Sequence, residues 1–93
     1  MRVGTLLVTL RLESASSLKD KRRVLKGLLE TVRRRYNVSA AEIADLDRWR
    51  VATVGFACVS NDGAQCNRVL DTVLDHLERL PEVEVEAVDL EVL

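Results

Sequence analysis

Aromatic side chains are nearly missing: Tyr36, Trp49 and Phe56 are the only three in 93 residues. A sheet surface that stacks nucleic-acid bases on aromatic rings is therefore not expected. The four glycines, Gly4, Gly27, Gly55 and Gly63, are scattered, so neither a Walker-type loop nor GxGxxG occurs, and a nucleotide-dependent enzyme is not expected. The single histidine, His76, sits between Asp75 and Leu77 with no serine or cysteine placed to serve as its nucleophile, and a general base is not expected. The two cysteines, Cys58 and Cys66, belong to no CxxC and no Cys/His cluster with ligand spacing; they read as small buried thiols. Asp45 and Asp47 bracket Leu46, but nothing supplies the remaining ligands of a cation site. Neither a metal nor a cofactor is expected, and no catalytic set can be named. No run of eighteen apolar residues is present, so no membrane-spanning helix is expected. The opening MRVGTLLVTLRLE carries Thr and Arg within its apolar stretch and no small-residue cleavage site. It reads as a strand and not as a signal peptide, and the expected location is cytoplasmic.

Charge is plentiful but unevenly placed. Residues 1–50 carry a balance of +6 and residues 51–93 a balance of −7, which together give the net charge of −1. Such a separation of sign points to a bipolar field. A chain of this length makes one small domain, residues 1–93, with a modest core that self-association would reinforce.

Hydrophobic periodicity fixes the elements. In residues 2–13 Leu6, Val8, Leu10 and Leu12 share one face and Val3, Thr5, Leu7, Thr9 and Arg11 the other, the period of a strand. Ser16 or Ser17 then offers an N-cap, with Asp20 as a near capping box, and Leu18, Leu25, Leu28, Leu29, Val32 and Tyr36 follow at helical spacing until Asn37. Residues 38–44 form a weaker strand and 50–60 a clear one, with Val54, Phe56 and Cys58 on one face. Asn61-Asp62-Gly63 turns the chain and caps a second helix whose stripe is Cys66, Val69, Leu70, Val73, Leu77 and Leu80, ended by Pro81. The last segment alternates, then slips phase; a β-bulge near Ala87–Val88, or a strand covered on both faces, accounts for it. The order β-α-β-β-α-β predicts a ferredoxin-like α+β sandwich, with a four-stranded antiparallel sheet and two helices on one face.

Three parts of the chain also carry a family resemblance: Ser17-Leu18-Lys19-Asp20-Lys21-Arg22, Asn37-Val38-Ser39 with Glu42, and Asp47 with Trp49 before the third strand. With these, nearly the whole chain resembles the bacterial YlxP-like family of unknown function. The resemblance implies a ferredoxin-like fold and a translation-linked setting, because genes of that family tend to lie beside those for translation initiation and ribosome maturation. It implies no reaction. Where basic or amide residues are expected after the Trp, this chain has Arg50 and then apolar Val51.

Two surfaces are then candidates for function. On a helical wheel of about 100° per residue, Lys19, Arg22, Arg23, Lys26, Arg33 and Arg34 gather within about 120°, interrupted only by Glu30, while Lys21 and Arg35 fall to the opposite flank. Such a ridge can lie along phosphates, or it is a solvated face that pairs with Glu82, Glu84, Glu86, Asp71, Asp75 and Glu78. The pI of 5.8 argues against a general nucleic-acid binder. Read with the family setting, the ridge favours structured RNA or a ribosomal subunit as partner. The second surface is the open face of the sheet, where Thr5, Leu7, Thr9, Thr53, Gly55, Ala57 and Val59 suit packing against another copy, giving a homodimer. Trp49 either anchors an interface or caps the end of the core. The rivals to an RNA-associated protein are a homodimeric protein-interaction or small-ligand module without nucleic acid, and an enzyme whose site is shared between subunits.

Overall fold

Strand alternation and helical stripes act together in a computed structural model that describes all of residues 1–93. The elements are β1 (Arg2–Arg11), α1 (Leu18–Arg35), β2 (Ser39–Ala44), β3 (Val51–Ser60), α2 (Gly63–Glu78) and β4 (Glu84–Val92). The sheet is antiparallel with strand order β2-β3-β1-β4, so the two most apolar strands are central. This is the ferredoxin-like sandwich that the element order implies.

Leu6, Val8 and Leu10 of β1 and Ala52, Val54, Phe56 and Cys58 of β3 form one core with Leu25, Leu28, Leu29 and Val32 of α1 and Cys66, Leu70, Val73 and Leu77 of α2. Both helices therefore cover the same sheet face. α2 packs over β1, β3 and β4, and α1 over β2. Full burial of one such aliphatic side chain contributes about 1.5–3 kcal/mol.

The helix starts are tied by side chains. The Ser17 hydroxyl accepts from the Asp20 N–H at 3.1 Å, and the Asp20 carboxylate accepts from the Ser16 N–H at 3.1 Å and the Ser16 hydroxyl at 2.6 Å. The capping box is thus reciprocal but reaches back one residue further than Ser17. At α2, the Asp62 carboxylate caps the Ala64 N–H at 2.9 Å.

Two bulges re-aim the edge strands. Between β1 and β4, Thr9 faces Ala87 while Leu10 faces Val85, leaving Glu86 as the extra residue. The phase slip in the sequence is therefore a bulge, one residue before the predicted place, and it turns Val85, Leu90 and Val92 alike toward the core. Between β2 and β3, Glu42 faces Val54 while Ala44 faces Thr53, and Ile43 is the extra residue. Ile43 lies over Gly55 on the open face, its Cγ1 2.8 Å from where a Gly55 Cβ would sit.

Candidate nucleic-acid interface

α1 presents its basic side chains along the outer face of the helix pair. Lys19, Arg22, Arg23, Lys26, Arg33 and Arg34 are all exposed. The ion pairs of the molecule are Arg11 with Glu13 and Glu86, Lys21 with Glu42, and Arg48 with Asp45; none involves the ridge. The acids of the second half therefore do not neutralise it within the chain. Topology contributes to this: α1 packs over the β2 edge of the sheet, whereas α2 packs over β1, β3 and β4, and the hydrogen bonds between the two helices run through Arg35, Tyr36 and His76 and not through the ridge. One ridge residue is partly engaged, since the Arg33 guanidinium donates to the Ala40 carbonyl on β2. Near the helix start, Asp20 stays below its ordinary value, chiefly through the hydrogen bonds from Ser16, with Arg23 and Lys19 adding attraction.

Lys21 corrects the sequence expectation. It does not lie on a solvated flank: its side chain is 1% exposed, among the core residues of α1. The Nζ lies 3.0 Å from Glu42 Oε2 and donates to the Asp45 carbonyl at 2.6 Å. Glu42 Oε2 meets that charge off the hydrogen-bonding direction and has no hydrogen-bond partner. The signal was present in the wheel. Residues 21, 25, 28 and 32 follow the spacing i, i+4, i+7, i+11, so Lys21 continues the stripe of Leu25, Leu28 and Val32.

Around that amine the 45–50 loop is built. Asp45 has φ of 62°, the left-handed region that a residue with a Cβ seldom occupies. Its carbonyl is held by Lys21, and its carboxylate accepts from the Thr53 hydroxyl at 2.7 Å. That bond, more than the nearby Arg48, lowers the Asp45 carboxyl from its ordinary value. At the loop's far end the Leu12 N–H donates to the Arg50 carbonyl at 2.8 Å, and Arg50 Nε donates to the Ala15 carbonyl at 3.2 Å. Trp49 stays outside, half-exposed.

The open sheet face has a depression of about 450 Å³ lined by Thr5, Leu7, Ile43, Gly55, Ala57 and Asp89, among others. Leu7, Ile43 and Val59 are exposed on it. Thr9 and Ala57 keep partial exposure, whereas Thr53 is buried with its hydroxyl committed to Asp45. On this face β4 places Asp89 opposite Leu7 and Glu91 opposite Thr5, a carboxylate margin that sequence order alone did not assign.

His76 packs between the helix ends. Its ring meets Tyr36 edge-on at 5.6 Å, and its Nδ1 lies 3.3 Å from the Tyr36 hydroxyl and 3.4 Å from Arg35 Nη1. Burial, then Arg35 and Arg79, lower its pKa from the ordinary 6.5. The unfolded chain accordingly binds this proton first. The stabilisation by neutral His76 is complete above pH 6.5 and is lost as pH falls through and below that value. Melting temperatures measured between pH 7.5 and 5.5 should fall for the wild type and fall less for His76→Gln, which stays neutral throughout. Cys58 and Cys66 are buried free thiols, and burial foremost pushes Cys58 up to about 11, which leaves it protonated and unreactive at neutral pH. No helix is long and apolar enough to cross a membrane.

A family model described as protein of unknown function (DUF503) matches residues 3–90. The chain belongs to the DUF503 family. It is also 41% identical, over 70 residues, to the uncharacterized protein YlxP of Bacillus subtilis (strain 168), a match spanning 75% of this chain and 76% of that protein. The residues that carried the resemblance come together in this DUF503 protein: Ser17 caps α1, Lys21 and Glu42 form the buried pair, and Asp47 and Trp49 ride on the loop that the pair holds.

Proposed function

We propose that this DUF503 protein is a non-enzymatic protein that associates with structured RNA or a ribosomal subunit through the ridge of α1. The observation carrying the reading is that these ridge side chains form no ion pair within the chain: Lys19, Arg22, Arg23, Lys26 and Arg34 are exposed without an ion-pair partner. Guanidinium and ammonium groups in one row neutralise successive phosphates, and Arg forks onto phosphate oxygens. The acids of β4 and α2 make no ion pair with these side chains, so the bipolar charge orients an approaching polyanion toward the ridge.

Charge reversal tests this. Arg22→Glu with Lys26→Glu alters two exposed side chains and should leave the fold and its melting temperature nearly unchanged. Binding to ribosomal subunits and to a structured RNA at low salt should weaken more than tenfold. Undiminished binding by the folded double variant would remove the ridge from the interface.

The exposed Leu7, Ile43 and Val59 on the open sheet face favour a second reading, a homodimer formed through that face. Thr5, Thr9 and Ala57 would frame the contact. Sedimentation of the same samples separates the readings: a dimer that binds no RNA at low salt assigns the molecule to protein interaction or small-ligand regulation, and a dimer that binds RNA unites the two surfaces.

A further inference from the structure

The 45–50 loop holds the only tryptophan of the chain out of the core, and hydrogen bonds tie the loop at both ends. Trp49 is 52% exposed. Asp45, at the loop's start, sits in the left-handed region and is gripped at its carbonyl by buried Lys21 and at its carboxylate by Thr53. Arg50, at its end, is tied to Leu12 and Ala15. A large ring held in water by a loop tied at both ends is better preorganised for a contact, because less loop ordering is left to occur on binding.

Its surroundings say which contact. Beside Trp49 is a depression lined by Arg11, Arg48, Arg50 and Val51. Arg11 is neutralised by Glu86 and Glu13. Arg48 keeps 64% of its side chain exposed and approaches Asp45 only at 3.5 Å. Arg50 makes its bond to a neutral carbonyl, so its charge is uncompensated. An exposed indole flanked by two guanidinium groups matches a base with its neighbouring phosphates, whereas the sheet face offers carboxylates and no ring. Position agrees. Lys21, whose amine holds this loop, stands between Lys19 and Arg22, so the ridge begins at the same end of the molecule.

We propose that Trp49, with Arg48 and Arg50, forms a stacking subsite for an unpaired base of RNA whose backbone follows the ridge of α1. The inference rests on the ridge reading and adds to it a preference for RNA with single-stranded nucleotides.

Because the chain has one tryptophan, its fluorescence reports on this site alone. The probe is a fluorescein-labelled oligoadenylate of about 12 nucleotides, enough to cover one small binding domain. At low salt it should quench Trp49 saturably. By anisotropy, Trp49→Ala should weaken binding about 5- to 150-fold, the range for loss of one stacked base. Trp49→Phe should recover most of that loss, and Arg48→Ala should reduce the salt slope by about 0.7, one phosphate on a single strand. Circular dichroism confirms that each variant is folded. If the oligonucleotide binds, Arg22→Glu with Lys26→Glu abolishes binding, and Trp49→Ala binds like the wild type, the subsite is overturned while the ridge stands. If the wild type binds no RNA, both fall. If Trp49 emission changes with protein concentration and not with oligonucleotide, the ring belongs to a protein interface, for which the exposed Leu46 of the same loop is available, and the subsite is overturned.

Discussion

Lys21→Ala should destabilise the domain by about 2–4 kcal/mol, from the lower part of the range of about 3–5 kcal/mol for breaking a buried ion pair to somewhat below it. The Lys21 side chain is 1% exposed and the Glu42 side chain 20%. Truncation leaves the Glu42 carboxylate without its counter-charge, removes one of the two donors to the Asp45 carbonyl, and empties space that a fully buried side chain fills. The partial exposure of Glu42 lets water compensate some of this, which holds the effect below that of a fully sealed pair. For a domain of this size each kcal/mol moves the melting temperature by about 4–8 °C, so the variant should melt well below the wild type. Lys21→Met with Glu42→Leu should regain most of the loss, since apolar side chains of similar volume often replace a buried pair without penalty. Recovery should stop short at the loop: with the Asp45 carbonyl unheld, amide exchange at Arg48, whose N–H donates to that carbonyl at 3.1 Å, should remain faster. A Lys21→Ala variant as stable as the wild type would mean that this amine contributes nothing to the fold.

Gly4→Ala should cost about 1–3 kcal/mol, the range for overpacking a core. A Cβ there would meet Leu70 Cδ1 at 2.8 Å and Cys66 Cβ at 3.0 Å. The second contact is the serious one. Cys66 Cβ is rooted in the backbone of α2, so relief requires the helix itself to move off β1. Gly55→Ala is the control. Its Cβ would also meet an atom at 2.8 Å, but that atom belongs to Ile43, which is half-exposed on the open face and free to turn aside. Chemical denaturation of the two variants should therefore rank Gly4→Ala far below Gly55→Ala. Equal stabilities would contradict the close seating of α2 on β1.

What the sequence disclosed and what it hid follow from physical range. The element order, the caps and both central strands are local patterns, and each was legible from spacing alone. The β4 bulge was legible too, because a phase slip in alternation is a local event; Glu86 was simply the neighbour of the expected residue. Lys21 was misread because charge was weighed before position: its place in the stripe of Leu25, Leu28 and Val32 was visible, but its partners Glu42 and Asp45 lie more than twenty residues away. Thr53 was placed on the correct face, yet its hydrogen bond to Asp45 depends on a second bulge that no alternation announced. The ridge itself was legible, as six basic positions on one arc. That it makes no ion pair with the acids of the second half was not, since this depends on α1 packing over β2 at the opposite edge of the sheet from β4.

The most direct test of the ridge as a phosphate-binding surface is the affinity of the wild-type protein for a structured RNA across a salt series. With five or six phosphates neutralised, log K should fall with log salt at a slope of about −4.5 to −5.4, by the duplex value of roughly −0.9 per phosphate. Arg22→Glu with Lys26→Glu should flatten that slope as it weakens binding. A slope near zero, or no binding at the lowest salt, would contradict the claim and leave α1 a solvated helix whose molecule acts through its sheet face.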